Sequence, residues 1–323
     1  MSVLKISYLW FDPFKDTIFF HLVKNLSKKK IKIVSADKAD ILFIGPLELF
    51  SIRRKLLNFF LKKTDSFKIN NFFDNIDIYS LKRNYKPLRV FISYENVRHN
   101  LIKSDYFITS DLGVEDENHF RFPSWKDYID WSHEGIVRNS DTLNSRRFGF
   151  YWNINDLLNP QGNNFMKKPR KFCIFTSHFI EPRRSIYETI KKYFDVDGYG
   201  PYFNQNIENH NSSDFKTYDI MKNYAFNLCP QNSLFPGYYT EGVVNAFLSN
   251  SLPVTWADHN IKTDFNEKSF INLIDDSANG YKNICESLKD DNFLKSYTQE
   301  PILKKKIDLD LEKKFVEKIL SNL

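Results

Sequence analysis

At 323 residues, with 42% hydrophobic and 27% charged side chains, the chain has the composition of a globular protein with room for one large domain or two. No apolar run reaches the roughly 18–20 residues that span a bilayer as a helix, and three widely spaced cysteines, Cys173, Cys229 and Cys285, argue against a disulfide framework or a cysteine-rich metal site. The formal charge of +6 is mild: it suits an anionic ligand or a membrane surface, and the basic residues assemble into no nucleic-acid-binding motif.

The opening MSVLKISYLWFD lacks the shape of a signal peptide and, with the unpaired thiols, predicts a cytoplasmic protein. Leu4 to Trp10 reads as a first strand, Phe19 to Leu26 as a helix, and Ile31 to Val34 and Ala39 to Ile44 as further strands, closed by Gly45-Pro46. This alternation predicts a parallel α/β sheet. Residues 51–68 form a basic amphipathic pattern, with Ile52, Leu56, Leu57 and Phe60 on one face and Arg53, Arg54, Lys55, Lys62 and Lys63 around it. It is either a packed surface helix or an interfacial helix facing anionic lipid or an acidic saccharide.

Leu88 to Ser93 is the next strand and runs into Tyr94-Glu95-Asn96, which puts Glu95 at the carboxyl end of a buried strand, where open α/β sheets build their clefts. A surface or helix-capping acid has the same address. Tyr151 to Pro160, with the Gly-Asn-Asn that follows, has the turn-rich composition of an interdomain connection. Lys171 to Thr176 then opens a second domain, and Pro182-Arg183-Arg184 starts a helix through Tyr187 and Ile190. An arginine at a helix start beside the glycine-bounded loop at Gly198-Tyr199-Gly200 can fork onto a diphosphate, or be part of a solvated charge pair. Asp195-Val196-Asp197 has the form of a metal-binding Asp-x-Asp but is read as the end of a strand, and none of the seven histidines has metal-ligand spacing. No metal site is predicted. Residues 302–323 read as a lysine-rich terminal helix with Ile307, Leu311, Phe315 and Ile319 as its apolar set, packed back on the first domain or set against lipid.

Tyr224 to Asn272 organises the rest. It reads as a buried strand (Ala225 to Leu228), a polar loop, a helix capped by Thr240 with Val243, Val244, Phe247 and Leu248 on one face, and a strand from Leu252 to Thr255. An ordinary βαβ crossover has the same pattern. The words Phe226-Asn227-Leu228-Cys229, Gln231-Asn232, Tyr238-Tyr239-Thr240-Glu241 and Leu252-Pro253-Val254 resemble, in order and spacing, the donor-binding signature of the bacterial-type α1,3/4-fucosyltransferases. Asp264-Phe265-Asn266 and Ser269-Phe270-Ile271-Asn272 extend the likeness downstream. Upstream it continues through Arg89-Val90-Phe91 ahead of Glu95-Asn96, Tyr106-Phe107, Phe120-Arg121-Phe122-Pro123, and Arg183 four residues before Tyr187. Four positions depart from the family pattern: Tyr94 replaces a glycine, Gln231 a glutamate, Ala257 a glycine, and Gly242 the lysine that meets the nucleotide phosphates. Arg184 and Lys222 are the expected substitutes for that charge.

The resemblance implies an α/β fold of the GT-B type, two Rossmann-like domains facing across a cleft. Residues 1–150 would bind the acceptor, 151–170 link the domains, 171–301 bind the nucleotide sugar, and 302–323 form the terminal helix. It implies an inverting transfer of fucose from GDP-fucose, with no tightly bound cofactor and no metal, to a GlcNAc- or Gal-type hydroxyl of a surface glycan such as lipopolysaccharide O-antigen or a glycoprotein. Glu95 would be the general base with Tyr94 and Asn96 on the acceptor side, and Arg183, Asn232, Tyr238, Glu241 and Gly242 would hold the donor. Peripheral contact with the anionic inner membrane through 51–68 or 302–323 is part of the same expectation. Two alternatives stay open: a related transferase using another nucleotide deoxysugar, and a catalytically weak saccharide-binding relative.

Overall fold

Short apolar runs bounded by polar turns become the strands. In the first part of the chain these are β1 (Val3–Leu9), β2 (Lys30–Ile33), β3 (Ile41–Ile44), β4 (Leu88–Ile92), β5 (Tyr106–Thr109) and β6 (His119–Arg121). They pair in the order β2-β1-β3-β4-β5-β6, every pair parallel. β3 is buried along its whole length, as central parallel strands covered on both faces are. The computed structural model describes residues 2–9, 17–46, 87–101, 103–138, 148–203 and 216–323. The chain divides into two units, Met1–Phe122 with Asp308–Leu323, and Pro123–Ile307.

In the first unit, the Thr17 hydroxyl caps the helix Ile18–Ser27 by accepting from the Phe20 amide at 3.4 Å. This helix buries Ile18, Phe19, Leu22 and Val23 and stops at Lys28, which adopts a left-handed conformation. The final helix, Asp310–Ser321, lies beside it. Phe315 stacks on Phe120 at 5.0 Å between ring centroids and meets Tyr106 edge-on at 5.8 Å. Asn322 Nδ2 donates to the Tyr106 hydroxyl at 2.8 Å.

Two readings of the terminal segment change. The helix starts at Asp310, and residues 302–307 belong to the second unit, where the Leu303 amide donates to the Leu157 carbonyl at 2.9 Å. The buried stripe is Phe315, Val316 and Ile319, whereas Leu311 is 64% exposed. The apolar face is therefore used against the helix's own unit and not presented to lipid. The basic segment 51–68 lies outside the described residues. Among the described residues, no helix is long and apolar enough to cross a membrane.

The second unit is built on β7 (Phe172–Phe175), β8 (Val196–Tyr199), β9 (Phe226–Leu228), β10 (Leu252–Thr255) and β11 (Ile271–Asn272), parallel in the order β11-β10-β9-β7-β8. Phe172, Ile174, Phe226, Leu228, Leu252 and Val254 from the sheet pack with Ile186 and Ile190 of the helix Arg183–Ile190. Pro253 is tolerated in this interior strand because pairing with β11 begins only at Val254–Ile271, so its missing N–H faces the stretch before β11 starts. The chain crosses between units at Phe122–Pro123, ahead of the predicted 151–170 connection. The reason is local pairing: the Trp152 amide donates to the Tyr128 carbonyl and the Asp130 amide to the Trp152 carbonyl, each at 2.8 Å, while Trp125 Nε1 donates to Asp264 at 3.1 Å.

Candidate active site

Parallel strands send all their carboxyl ends to one edge of a sheet, where Thr176 follows β7 and Gln231-Asn232 lie three and four residues past β9. Arg183, the first residue of its helix, donates through Nη1 to the Thr176 hydroxyl at 3.3 Å, just past β7. Its Nε donates to the Pro230 carbonyl at 3.2 Å, two residues past β9. One half-buried guanidinium thus spans the exits of two strands at a helix start, an arrangement suited to a phosphate. Gly200, at φ +135°, passes so close that a Cβ there would lie 2.0 Å from the Thr176 carbonyl oxygen, so the exit of β8 beside this anchor requires glycine.

The loop after β9 is closed by Gln231. This side chain is 1% exposed, its Oε1 accepts from the Thr240 amide at 3.2 Å, and its Nε2 is buried without a partner. Asn232 is exposed and donates through Nδ2 to the buried Tyr238 hydroxyl at 3.0 Å. Thr240 is not the helix cap. Gln231 draws its amide back into the loop, and the helix runs Gly242–Leu248 with Glu241 at the cap position and no side-chain capping bond. The Glu241 carbonyl accepts the Asn245 amide at 2.8 Å. At Gly242 a Cβ would lie 3.2 Å from Cys229 Cβ, so any side chain there requires Cys229 to yield by a few tenths of an ångström.

Neither expected substitute for the family lysine is arranged for that role. Arg184 is exposed and donates to the Phe179 carbonyl at 3.2 Å. Lys222 precedes β9, on the amino side of the sheet, and pairs with Asp219 at 2.8 Å. Asp195-Val196-Asp197 opens β8 instead of ending a strand, and the Asp197 carboxylate accepts from the Tyr224 hydroxyl at 2.6 Å. The downstream words are structural. Asp264 accepts from Trp125, Asn266 donates to Glu300 and the Pro301 carbonyl at 3.0 Å each, and Asn272 pairs with both backbone groups of Ala257 at 2.9 and 3.1 Å.

In the first unit Glu95 is exposed, three residues past the end of β4. Its backbone is folded over Ser93, whose hydroxyl accepts from the Glu95 amide and donates to the Glu95 carbonyl, both at 3.2 Å. The Tyr94 ring lies 5.9 Å from that of Phe122. Asn96 accepts from Arg98, and Arg98 also pairs with Asp111, which is 2% exposed. Asp111 further accepts the His99 amide at 3.0 Å. Burial, reinforced by the charge of neighbouring His99, pushes the His119 imidazole down to about 4. Sequence reasoning passed over Thr176 and this Arg98–Asp111–His99 group, because hydroxyl anchors and residues joined across strands leave no spacing signal.

The profile of the glycosyltransferase family 10 (fucosyltransferase) C-terminal domain matches residues 165–299. This match covers less than half of the chain. The matched segment holds β7 to β11 with Arg183, Asn232, Tyr238, Glu241 and Gly242; Glu95, Tyr94 and Asn96 lie outside it. Over 220 residues the chain is 24% identical to an α-(1,3)-fucosyltransferase of Helicobacter pylori, covering 62% of this chain and 42% of that protein. A protein of Acanthamoeba polyphaga mimivirus, named only provisionally as a fucosyltransferase, is 31% identical over 152 residues, 43% of this chain and 25% of that one. The chain thus spans less than half the length of the curated relatives it matches. Among solved structures, an α1,3-fucosyltransferase with GDP-fucose superposes with a TM-score of 0.62 at 19% identity, covering 100% of this chain and 92% of that one. The corresponding GDP complex gives 0.61 at 19% identity, over 99% and 91%. The fold is therefore α/β, of the GT-B type.

Proposed function

We propose that the protein is an inverting glycosyltransferase that moves fucose from GDP-fucose to a GlcNAc- or Gal-type hydroxyl of a surface glycan. The observation that carries this reading is Arg183 held between Thr176 and Pro230 at the carboxyl edge of the sheet within the family 10 match, beside the loop that Gln231 ties to the helix start at Gly242. In this mechanism the Glu95 carboxylate takes the proton of the acceptor hydroxyl as the sugar carbon becomes oxocarbenium-like. GDP departs with its new charge met by Arg183 and the amides at the Gly242 helix start. Tyr238 and Glu241 hold the sugar or ribose, Asn232 lines the loop, and Tyr94 and Asn96 flank the base. The setting is the cytoplasmic side of the membrane, where the acceptor glycan is assembled.

One observation favours a second reading, a different nucleotide deoxysugar as donor. Gly242 packs on Cys229 where the family carries its phosphate-facing lysine, and Arg184 and Lys222 are engaged elsewhere. Thermal unfolding with GDP-fucose and with UDP, CMP and dTDP sugars separates the two. A ligand at about 100 times its dissociation constant adds roughly 2.7 kcal/mol of stability. Selective stabilisation by GDP-fucose is the expected result. Selective stabilisation by another sugar nucleotide selects the second reading, and no response to any of them removes both.

A further inference from the structure

We propose that His99, Asp111 and His119 form a binding site for one divalent transition-metal ion of the zinc type. None of the three has metal-ligand spacing in the sequence; the parallel ladder gathers them. Asp111 lies two residues past β5, His119 opens β6 alongside Phe107, and His99 stands in the connection between β4 and β5. One ligand atom from each lies within 4.8 Å of the other two.

Ligand geometry supports an ion here. His99 Nδ1 and Asp111 Oδ2 are 3.2 Å apart. Two ligands about 2.0–2.1 Å from a tetrahedral ion stand about 3.3 Å apart, so this pair can hold a metal where it now shares a proton. The His119 imidazole, its ring 5.2 Å from that of His99, supplies the third ligand atom of the set that lies within 4.8 Å. Its Nε2 lies 2.8 Å from the Thr109 hydroxyl, a partner able to orient the ring. Arg98 occupies Asp111 Oδ1, which leaves Oδ2 to face the imidazoles. The Asp111 side chain is 2% exposed and His99 25%, so the site is buried on the carboxylate side and open to solvent on the other. Two imidazoles and a carboxylate favour zinc or cobalt over calcium or magnesium, which prefer all-oxygen shells. Water supplies the fourth position. A bound ion cross-links the turn after β4 to β5 and β6, a structural role that does not depend on the donor or on transfer activity.

Calorimetric titration of the chelator-treated full chain with Zn²⁺, with Co²⁺ absorbance as a second readout, tests the proposal. One ion per chain with a dissociation constant below roughly 100 µM is expected, together with the intense visible bands of tetrahedral cobalt. Affinity should fall more than about tenfold in His119→Ala and in Asp111→Asn. It should be unchanged in His259→Ala, which removes an exposed imidazole 3.3 Å from the Asp275 carboxylate. Circular dichroism of the metal-free His119→Ala protein checks that it still folds, since that change leaves Asp111 with Arg98 and His99. Absence of saturable binding, or binding indifferent to His119→Ala, overturns the proposal, as does binding lost in His259→Ala.

Discussion

Glu95 combines two properties that a general base needs: its side chain is exposed, and its backbone is fixed from both sides by one serine hydroxyl. Glu95→Gln keeps shape and hydrogen bonding while removing basicity, so transfer should fall about 10²- to 10⁴-fold. Donor-induced stabilisation should stay at the wild-type level. Initial rates and thermal shifts on one preparation check this, and unaltered turnover would assign the proton to another group. At Gly242 the prediction runs the other way. With the donor bound as proposed, a lysine there should add a charge-assisted phosphate contact of about 1.5–3 kcal/mol, roughly ten- to a hundredfold in donor affinity. Part of the gain is offset by the 3.2 Å approach to Cys229. A Gly242→Lys protein that binds GDP-fucose no better than wild type would show that the donor phosphates lie elsewhere.

At the level of elements, the terminal helix completes the first unit. Phe315 is 7% exposed and fills the space between Phe120 and Tyr106, so Phe315→Ala removes a ring that two others pack against. A loss of about 3–5 kcal/mol is expected, read as a lower midpoint in urea unfolding. A change below about 1 kcal/mol would mean that the helix is not part of that unit's core. The apolar periodicity of Phe315 and Ile319 was legible in the sequence. Which surface it meets was not, because an amphipathic stripe specifies that a face is buried and leaves the partner open. The start of the helix at Gly242 shows the same limit. Thr240 has the right chemistry for a cap, yet the helix begins two residues later at Gly242, with the Thr240 amide bonded to the Gln231 carboxamide nine residues earlier.

Across the whole molecule, the 3 thiols all belong to the second unit, Cys173 and Cys285 buried and Cys229 half-buried. Burial pushes Cys229 up to about 12 and Cys285 up to about 11, and raises Cys173 as well. At pH 8 a thiol with a pKa near 11 is only about 0.1% thiolate. The native protein should therefore react slowly with a disulfide reagent at pH 8, and all 3 cysteines should react at once after denaturation. Rapid native labelling of any thiol would show that it is more open than the packing indicates.

The sequence by itself determined the local structure and the order of the motifs around the candidate site. The apolar runs at 41–44, 88–92, 172–175 and 226–228 are strands, Arg183 follows β7 at the start of its helix, and Gln231, Asn232, Tyr238, Glu241 and Gly242 follow β9 in the order the motifs give. Both follow from short-range order, since strand pattern and motif spacing are written in neighbouring residues. Tertiary structure alone decided how remote side chains share partners. It sent residues 302–307 to one unit and 308–323 to the other, set Lys222 on the amino side of β9, and gave Arg183 the Thr176 hydroxyl as an anchor. It also gathered His99, Asp111 and His119 from three separate segments. Such contacts depend on strand order and register, and residues that meet only across a sheet carry no periodicity from which their meeting can be read.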